Sequence, residues 1–328
     1  MLTFSDVVGH ENIIDYFQNA FRMQKFSHAY ILNGEDGTGK NLLASIFATT
    51  LQCEAHDVNP CGVCKSCLQA MSDNHPDIKY ITHEKASISV DDIRSQLNND
   101  VQIKPYSSKY KVYIIDEAEK LTEQAQNALL KTIEEPPEYA VILLLTNNSN
   151  LFLETILSRC VVLNLKVIPK ESIKKYLMEE VKVPDYQAEL SATFANGNLG
   201  KAIKLSSSEE FSQMKADVVR LMKYIDDYEL SEIMGAIKKI AENKSVINDY
   251  LDLILLWYRD VLMFKATMDA NLVFYKDEVQ DIKKQGSNKS FEALDHIIKA
   301  LDDTKKRLLA NVNFEIAMEL LLLAMKES

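Results

Sequence analysis

"AYILNGEDGTGKNLLASIF", Ala29 to Phe47, is the stretch whose reading decides the fold. The apolar run "AYIL" leads straight into "GEDGTGKN" (34–41), and a helical pattern follows. That order fits the phosphate-cradling loop G-x-x-x-x-G-K-[ST] at all but its last position. Such a loop works by geometry. Its glycines let backbone N–H groups converge on phosphate, and the following helix N-terminus adds partial positive charge. The lysine then reaches the β and γ phosphates. Gly34, Gly37, Gly39 and Lys40 supply these parts. A glycine turn without a ligand is the other reading, and the strand–loop–helix context weighs against it. Asn41 stands where the pattern has a Ser or Thr hydroxyl for Mg²⁺. An amide oxygen can ligate Mg²⁺, but this side chain is longer and branched differently. ATP/Mg²⁺ is therefore expected to be poorly held, with slow or absent hydrolysis.

The surrounding pattern is that of an α/β domain. "KVYIIDEA" (111–118), "AVILLLTNN" (140–148) and "CVVLNL" (160–165) read as buried strands separated by helical stretches, which indicates βαβ units and a parallel sheet. The glycine loop, the acids Asp116 and Glu117, and the pair Thr146/Asn147 all follow strand C-termini. That is the edge where open α/β sheets bind ligands. Asp116 is the candidate for the Mg²⁺ shell and Glu117 the candidate for polarising water. The bland alternative is an acidic pair at a helix N-terminus.

Beyond about residue 168 the strands stop. "KESIKKYLMEEV" and "DYQAELSATFA" read as short helices ended by "NGNLG", and "SSSEEF" (206–211) as an N-cap opening the next helix. The expected division is 1–165, 166–207 and 208–328. The last part includes "YLDLILLWYRDVLMF" and "NVNFEIAMELLLL", helices whose apolar faces are wide enough to pack together or against partners. Trp257 and Tyr258 are read there as core or interface residues before any base-stacking role. Nine glycines and seven prolines in 328 residues fit so much helix.

Charge and composition exclude other classes. The net charge of −11 argues against broad, unassisted gripping of nucleic acid. No run of about twenty apolar residues suggests a membrane span, and "MLTFSDVVGHENII" lacks a signal-peptide pattern. A cytoplasmic location is expected.

Cys53, Cys61, Cys64 and Cys67 fall within fifteen residues, spaced C-x7-C-x2-C-x2-C. In a reducing compartment four thiolates so placed suit tetrahedral Zn²⁺ more than disulfides. Four sulfurs close the site, so its expected role is structural. His56 lies inside the segment as a competing ligand.

Several further stretches point to one family. "QNALLKTIEEPPEYAVILLLTNN" followed by "LETILSRC", with "HAYIL" before the loop and "HPDI" at 75–78, resembles the bacterial clamp-loader AAA+ subunits of DNA polymerase III over nearly the whole chain. The resemblance implies an AAA+ P-loop domain, a small helical lid and an all-α collar. It implies a zinc module after the P-loop helix and a lining for an adenine pocket at Val8, Gly9 and His10, where His10 is otherwise a surface histidine by default. It also implies a γ-phosphate-sensing polar group at Thr146 and Asn147, which in a non-hydrolysing subunit would only satisfy backbone groups; both readings stay open. Two kinds of subunit compete. The gamma/tau ATPases carry a hydroxyl in the P-loop, an arginine in a lid motif and, in tau, a long extension. Here Asn41, Gly200 in "GNLGKA" and an end at 328 place the chain nearer the delta-prime kind. For that kind the resemblance implies a five-subunit ring with gamma/tau and delta, and action on the sliding clamp and primer-template DNA. It also implies that Arg159 of "SRC" enters a neighbour's ATP site as a trans arginine finger. An arginine salt-bridged in its own domain is the alternative for Arg159. A working ATPase and a stand-alone DNA-binding protein remain the other two functions to weigh.

Overall fold

A computed structural model describes residues 2–242, 244–310 and 312–327, with the backbone alone for Ser245. Asn311, the first residue of the helical stretch expected from 311, lies outside the described residues. The chain divides into two compact units, 1–203 and 204–328.

The first unit is built on five parallel strands. They are β1 (Ala29–Asn33), β2 (Ile78–Ile81), β3 (Lys111–Ile115), β4 (Ala140–Thr146) and β5 (Val161–Asn164), in the order β2-β3-β4-β1-β5. Every residue of β3 and β4 is buried, as near-continuous apolar runs in a sheet covered on both faces require. Alternate side chains serve opposite cores. Ala29, Ile31, Tyr113, Ile115, Ile142 and Leu144 face one; Tyr30, Leu32, Val112, Ile114, Leu143 and Leu145 face the other. β2 escaped the sequence reading. It is an edge strand with Lys79 and Tyr80 exposed, so "IKYI" has no continuous apolar signal.

Helices α1 (Glu11–Met23), α2 (Lys40–Gln52), α3 (Lys65–Met71), α4 (Val90–Ile93), α5 (Glu123–Glu134) and α6 (Glu154–Leu157) surround the sheet, and α7 (Lys170–Tyr176) and α8 (Asp185–Phe194) follow it. α1 forms because Ile13, Phe17, Ala20 and Phe21 fall on one face, which packs on the α2 side through Phe17 and Phe47, 4.6 Å between ring centroids. Leu129 and Ile133 of α5 and Ile156 of α6 fill the opposite core. Ile168, Ile173, Leu177, Ala188, Ala192, Ala195 and Ala202 make a third, smaller core. α9 (Leu199–Ser207) contains the division between the units.

The second unit is helical throughout its regular structure among the described residues: α10 (Glu209–Tyr224), α11 (Leu230–Ala241), α12 (Ile247–Thr267), α13 (Val279–Asn288), α14 (Phe291–Leu309) and α15 (Phe314–Glu327), with short 3₁₀ turns. Ser208 caps α10, accepting from the Phe211 N–H at 3.1 Å, as "SSSEEF" predicts. α12 packs against α10, α13 and α14 and is buried almost all round. Trp257 and Tyr258 are both fully buried. The Trp257 indole donates to Gln285 at 2.8 Å, and the Gln285 amide donates to the Met222 carbonyl. They are core residues of this unit, with no face for a stacked base. Among the described residues, no helix is long and apolar enough to cross a membrane.

Candidate functional site

The loop between β1 and α2 has the backbone its glycines allow. Gly37 and Gly39 sit at φ of 83° and 100°, and Gly39 is the N-cap of α2. The Gly34 N–H donates to the Thr146 carbonyl at 3.0 Å, so the loop is tied to the end of β4. Asn33 adds a second tie that sequence reasoning missed. Its amide donates to Asn164 of β5 at 2.8 Å, and its oxygen accepts from the Ser149 N–H.

The structure brings the expected nucleotide-site residues together and engages each of them within the chain. Lys40 is 6% exposed; its ammonium donates to the Gly34 carbonyl and lies 3.2 Å from the Asp36 carboxylate. The Asn41 side-chain amide donates to Asp116 Oδ2 at 2.8 Å. Asn41 thus joins the loop to the acid that the alternative chemistry would give to Mg²⁺. Glu117 adopts the left-handed region at φ 49° and pairs with Lys120 at 2.7 Å and His83 at 3.3 Å. The Lys120 ammonium, with help from His83, holds the Glu117 carboxyl below its usual range. Thr146 is fully buried, and its hydroxyl accepts from the Asn148 N–H at 3.1 Å, while Asn147 is exposed.

Two neighbours of the loop were underread. His10 is not a surface residue: it is 8% exposed and its Nε2 lies 3.0 Å from the Thr38 carbonyl. Burial lowers its pKa, so the neutral ring donates to that carbonyl. Asn198 passed unnoticed as part of a helix-ending "NGNLG". Its amide donates to the Asp36 carbonyl at 2.6 Å, while its oxygen accepts from the Lys201 N–H. Next to it the Gly200 N–H donates to the Gly37 carbonyl at 2.9 Å. A Cβ on Gly200 would stand 2.7 Å from the Gly37 backbone. Only glycine fits this approach.

Arg159 follows α6, half exposed. It pairs with Glu134 at 3.1 Å and donates to the Thr155 carbonyl at 3.0 Å and the Ser158 hydroxyl at 3.2 Å. Cys160 precedes β5, and burial pushes its thiol up to about 12. It is an inert, small apolar group.

Cys53, Cys61, Cys64 and Cys67 converge, with all four sulfurs within 4.8 Å of one another. Cys61 and Cys67 are 3.9 Å apart. Ligands at a Zn–S distance of about 2.3 Å in a tetrahedron would be about 3.8 Å apart, so the donor set fits that ion. The N–H groups of Cys61, Cys64 and Cys67 point at the sulfurs of Cys53, Cys61 and Cys64. Such donors favour thiolates: the Cys61 thiol is brought down to about 6, mainly by the Val63 and Cys64 N–H groups, while burial raises Cys53 and Cys67. His56 is exposed and is not part of the cluster. "HPDI" also gains a physical role. Asp77, 1% exposed, accepts from the Tyr106, Ser107 and Ser108 N–H groups at 2.6, 2.8 and 3.0 Å, pinning the loop before β3.

Comparison with known proteins places the chain in a family. A family model described as "DNA polymerase III, delta subunit" matches residues 9–169, and one described as "DNA polymerase III, delta subunit, C terminal" matches residues 226–327. The Bacillus subtilis DNA polymerase III subunit delta' is 31% identical over 318 residues, 96% of this chain and 95% of that protein. The Bacillus subtilis subunit tau is 30% identical over 96% of this chain but only 60% of its own length. A solved gamma-subunit-related protein of Thermotoga maritima aligns over 95% of this chain and 98% of its own at 21% identity, with a TM-score of 0.42. With a relative 31% identical over 96% of this chain and 95% of its own length, and family models matching both parts of the chain, the chain belongs to the delta'-type clamp-loader subunits of DNA polymerase III.

Proposed function

We propose that this chain serves clamp loading as a partner that completes another subunit's ATP site while hydrolysing little or no ATP itself. One observation carries the reading: the groups an ATPase directs at Mg²⁺–ATP are engaged inside the chain, with Lys40 on Gly34 and Asp36, Asn41 on Asp116, and Glu117 on Lys120. To bind nucleotide productively, each of these contacts would have to be exchanged. Arg159, half exposed on a short turn and paired with Glu134 within this chain, is in this reading the trans finger for a neighbouring gamma/tau-type subunit, and its exposed edge is what it offers that neighbour. The assembly is a five-subunit cytoplasmic ring with gamma/tau and delta, acting on the sliding clamp at primer-template DNA.

Residues 1–165 act as the AAA+ domain, 166–207 as the lid and 208–328 as the collar; the separate small core around Ile173 and Ala192 supports the lid. The cysteine cluster holds structural Zn²⁺ in this reading. It would tie the segment after α2 and leave no open position for substrate.

A second reading, an active gamma/tau-type ATPase, draws on the intact glycines and Lys40 and on the likeness to tau. Steady-state ATP turnover by the reconstituted loader, with clamp and primed DNA, separates the two. Arg159→Ala in this subunit should lower turnover at the site it completes by about three orders of magnitude or more, and Lys40→Ala should leave turnover nearly unchanged. The opposite pattern would mean that Asn41 is tolerated and that this loop is a working site.

A further inference from the structure

We propose that Glu134 is the positioning residue of Arg159: it orients the guanidinium for insertion into the neighbouring subunit. This inference rests on the finger reading above and deepens it.

The two residues sit on separate, well-anchored elements. Glu134 is the last residue of α5; Glu135 is its C-cap and Pro136 and Pro137 follow, so the helix stops there. Its neighbours Leu129 and Ile133 are 0% and 1% exposed and fix α5 in the core. Arg159 stands just past α6, whose Ile156 is fully buried and whose carbonyl accepts the Arg159 N–H at 3.0 Å. Both backbones are therefore held by the same core, and the Glu134–Arg159 bond spans the gap between them at 3.1 Å.

A long arginine side chain at a surface samples many rotamers. Here three acceptors define the plane of the guanidinium. Thr155 and Ser158 receive Nη1, and Glu134 receives Nη2. A guanidinium has five N–H donors, and these contacts use three. The first two acceptors belong to the arginine's own turn and would follow it wherever it moved. Glu134 alone ties the group to a different helix, so it sets the direction in which the side chain projects. A half-exposed pair of this kind adds little to folding stability. Replacing Glu134 therefore leaves the subunit folded and changes the orientation of the finger. The "EEPP" stretch acquires a reason at its first position, a carboxylate placed by a helix stop.

The test uses the complete loader with clamp and primed DNA and varies this subunit alone. Glu134→Ala should lower kcat for ATP by up to about a hundredfold, the scale expected for a misplaced catalytic group, with KM for ATP unchanged. Glu134→Gln keeps the accepting oxygen and should restore most of the rate. Arg159→Ala should be more severe, and the double variant no worse than Arg159→Ala. A normal rate in Glu134→Ala beside a damaged Arg159→Ala overturns this inference and leaves the finger reading intact. So does a double variant worse than Arg159→Ala, because Glu134 would then act apart from the arginine. A normal rate in Arg159→Ala sinks both.

Discussion

At Gly200 a hydrogen in place of a side chain lets the start of α9 lie against the P-loop, with its N–H on the Gly37 carbonyl and Asn198 holding Asp36 beside it. The sequence shows a glycine at this position, but not the backbone contact that it permits. Asn41 is similar. Its departure from the P-loop pattern is plain from its residue type, yet its bond to Asp116 depends on two segments 75 positions apart. Asp260 in α12 belongs to the same scale. It is fully buried; Oδ2 accepts from the Phe274 and Tyr275 N–H groups at 2.7 and 2.8 Å, and Oδ1 has no partner. Burial outweighs those donors and pushes its carboxyl up to about 6. The folded state then holds its proton more tightly than the unfolded chain does. Its contribution is most favourable below pH about 4 and is lost as pH rises towards 6, by about 2–3 kcal/mol at most. Urea unfolding of wild type and Asp260→Asn across pH 4–7 checks this: the stability difference should shift in favour of the variant with rising pH. Parallel profiles would mean that the carboxyl is not perturbed.

Elements differed in how visible they were. β3 and β4 announce themselves because strands buried on both faces are unbroken apolar runs, whereas β2 is polar outward and hidden. The cysteine module was legible from spacing alone, since a small segment without its own core needs such a staple. The convergence of its sulfurs adds the geometry that spacing lacks. Metal analysis of chain purified without added metal should find about one zinc per chain. Chelation, or Cys64→Ser, should speed hydrogen exchange across residues 53–77 and leave β3 and β4 protected. A chain free of zinc, with that segment equally protected, would refute the metal reading. Asp77 lies at the border of the module. "HPDI" gave no sign of its role, because the three N–H groups it receives come from residues about thirty positions later.

For the whole molecule, a net charge of −11 bears on the DNA-binding alternative. The isolated chain should cause no salt-dependent shift in the anisotropy of a labelled primer-template at low salt, since binding strength follows the number of phosphates neutralised. Tight, salt-sensitive binding would instead assign the chain a DNA contact of its own. The two units have different sources of order. The first is a sheet with a core on each face, and the second is a set of helices around α12, where Trp257, Gln285 and Met222 form a buried chain of hydrogen bonds.

The sequence by itself determined the parallel-sheet class, the strand–loop–helix of the phosphate loop, the cysteine cluster and the helical second half. Each is a local pattern of period, spacing or residue type, and local patterns survive without knowledge of distant neighbours. Tertiary structure decided what those residues do with one another: that Lys40, Asn41 and Glu117 are engaged internally, that His10 and Asn198 brace the loop, and that Glu134 meets Arg159. Some of these contacts join positions far apart in the chain, and even the short-range ones need the loop's final backbone before the partners come within reach. Hydrogen bonds and ion pairs act over a few ångströms, and only the folded backbone brings the groups that close.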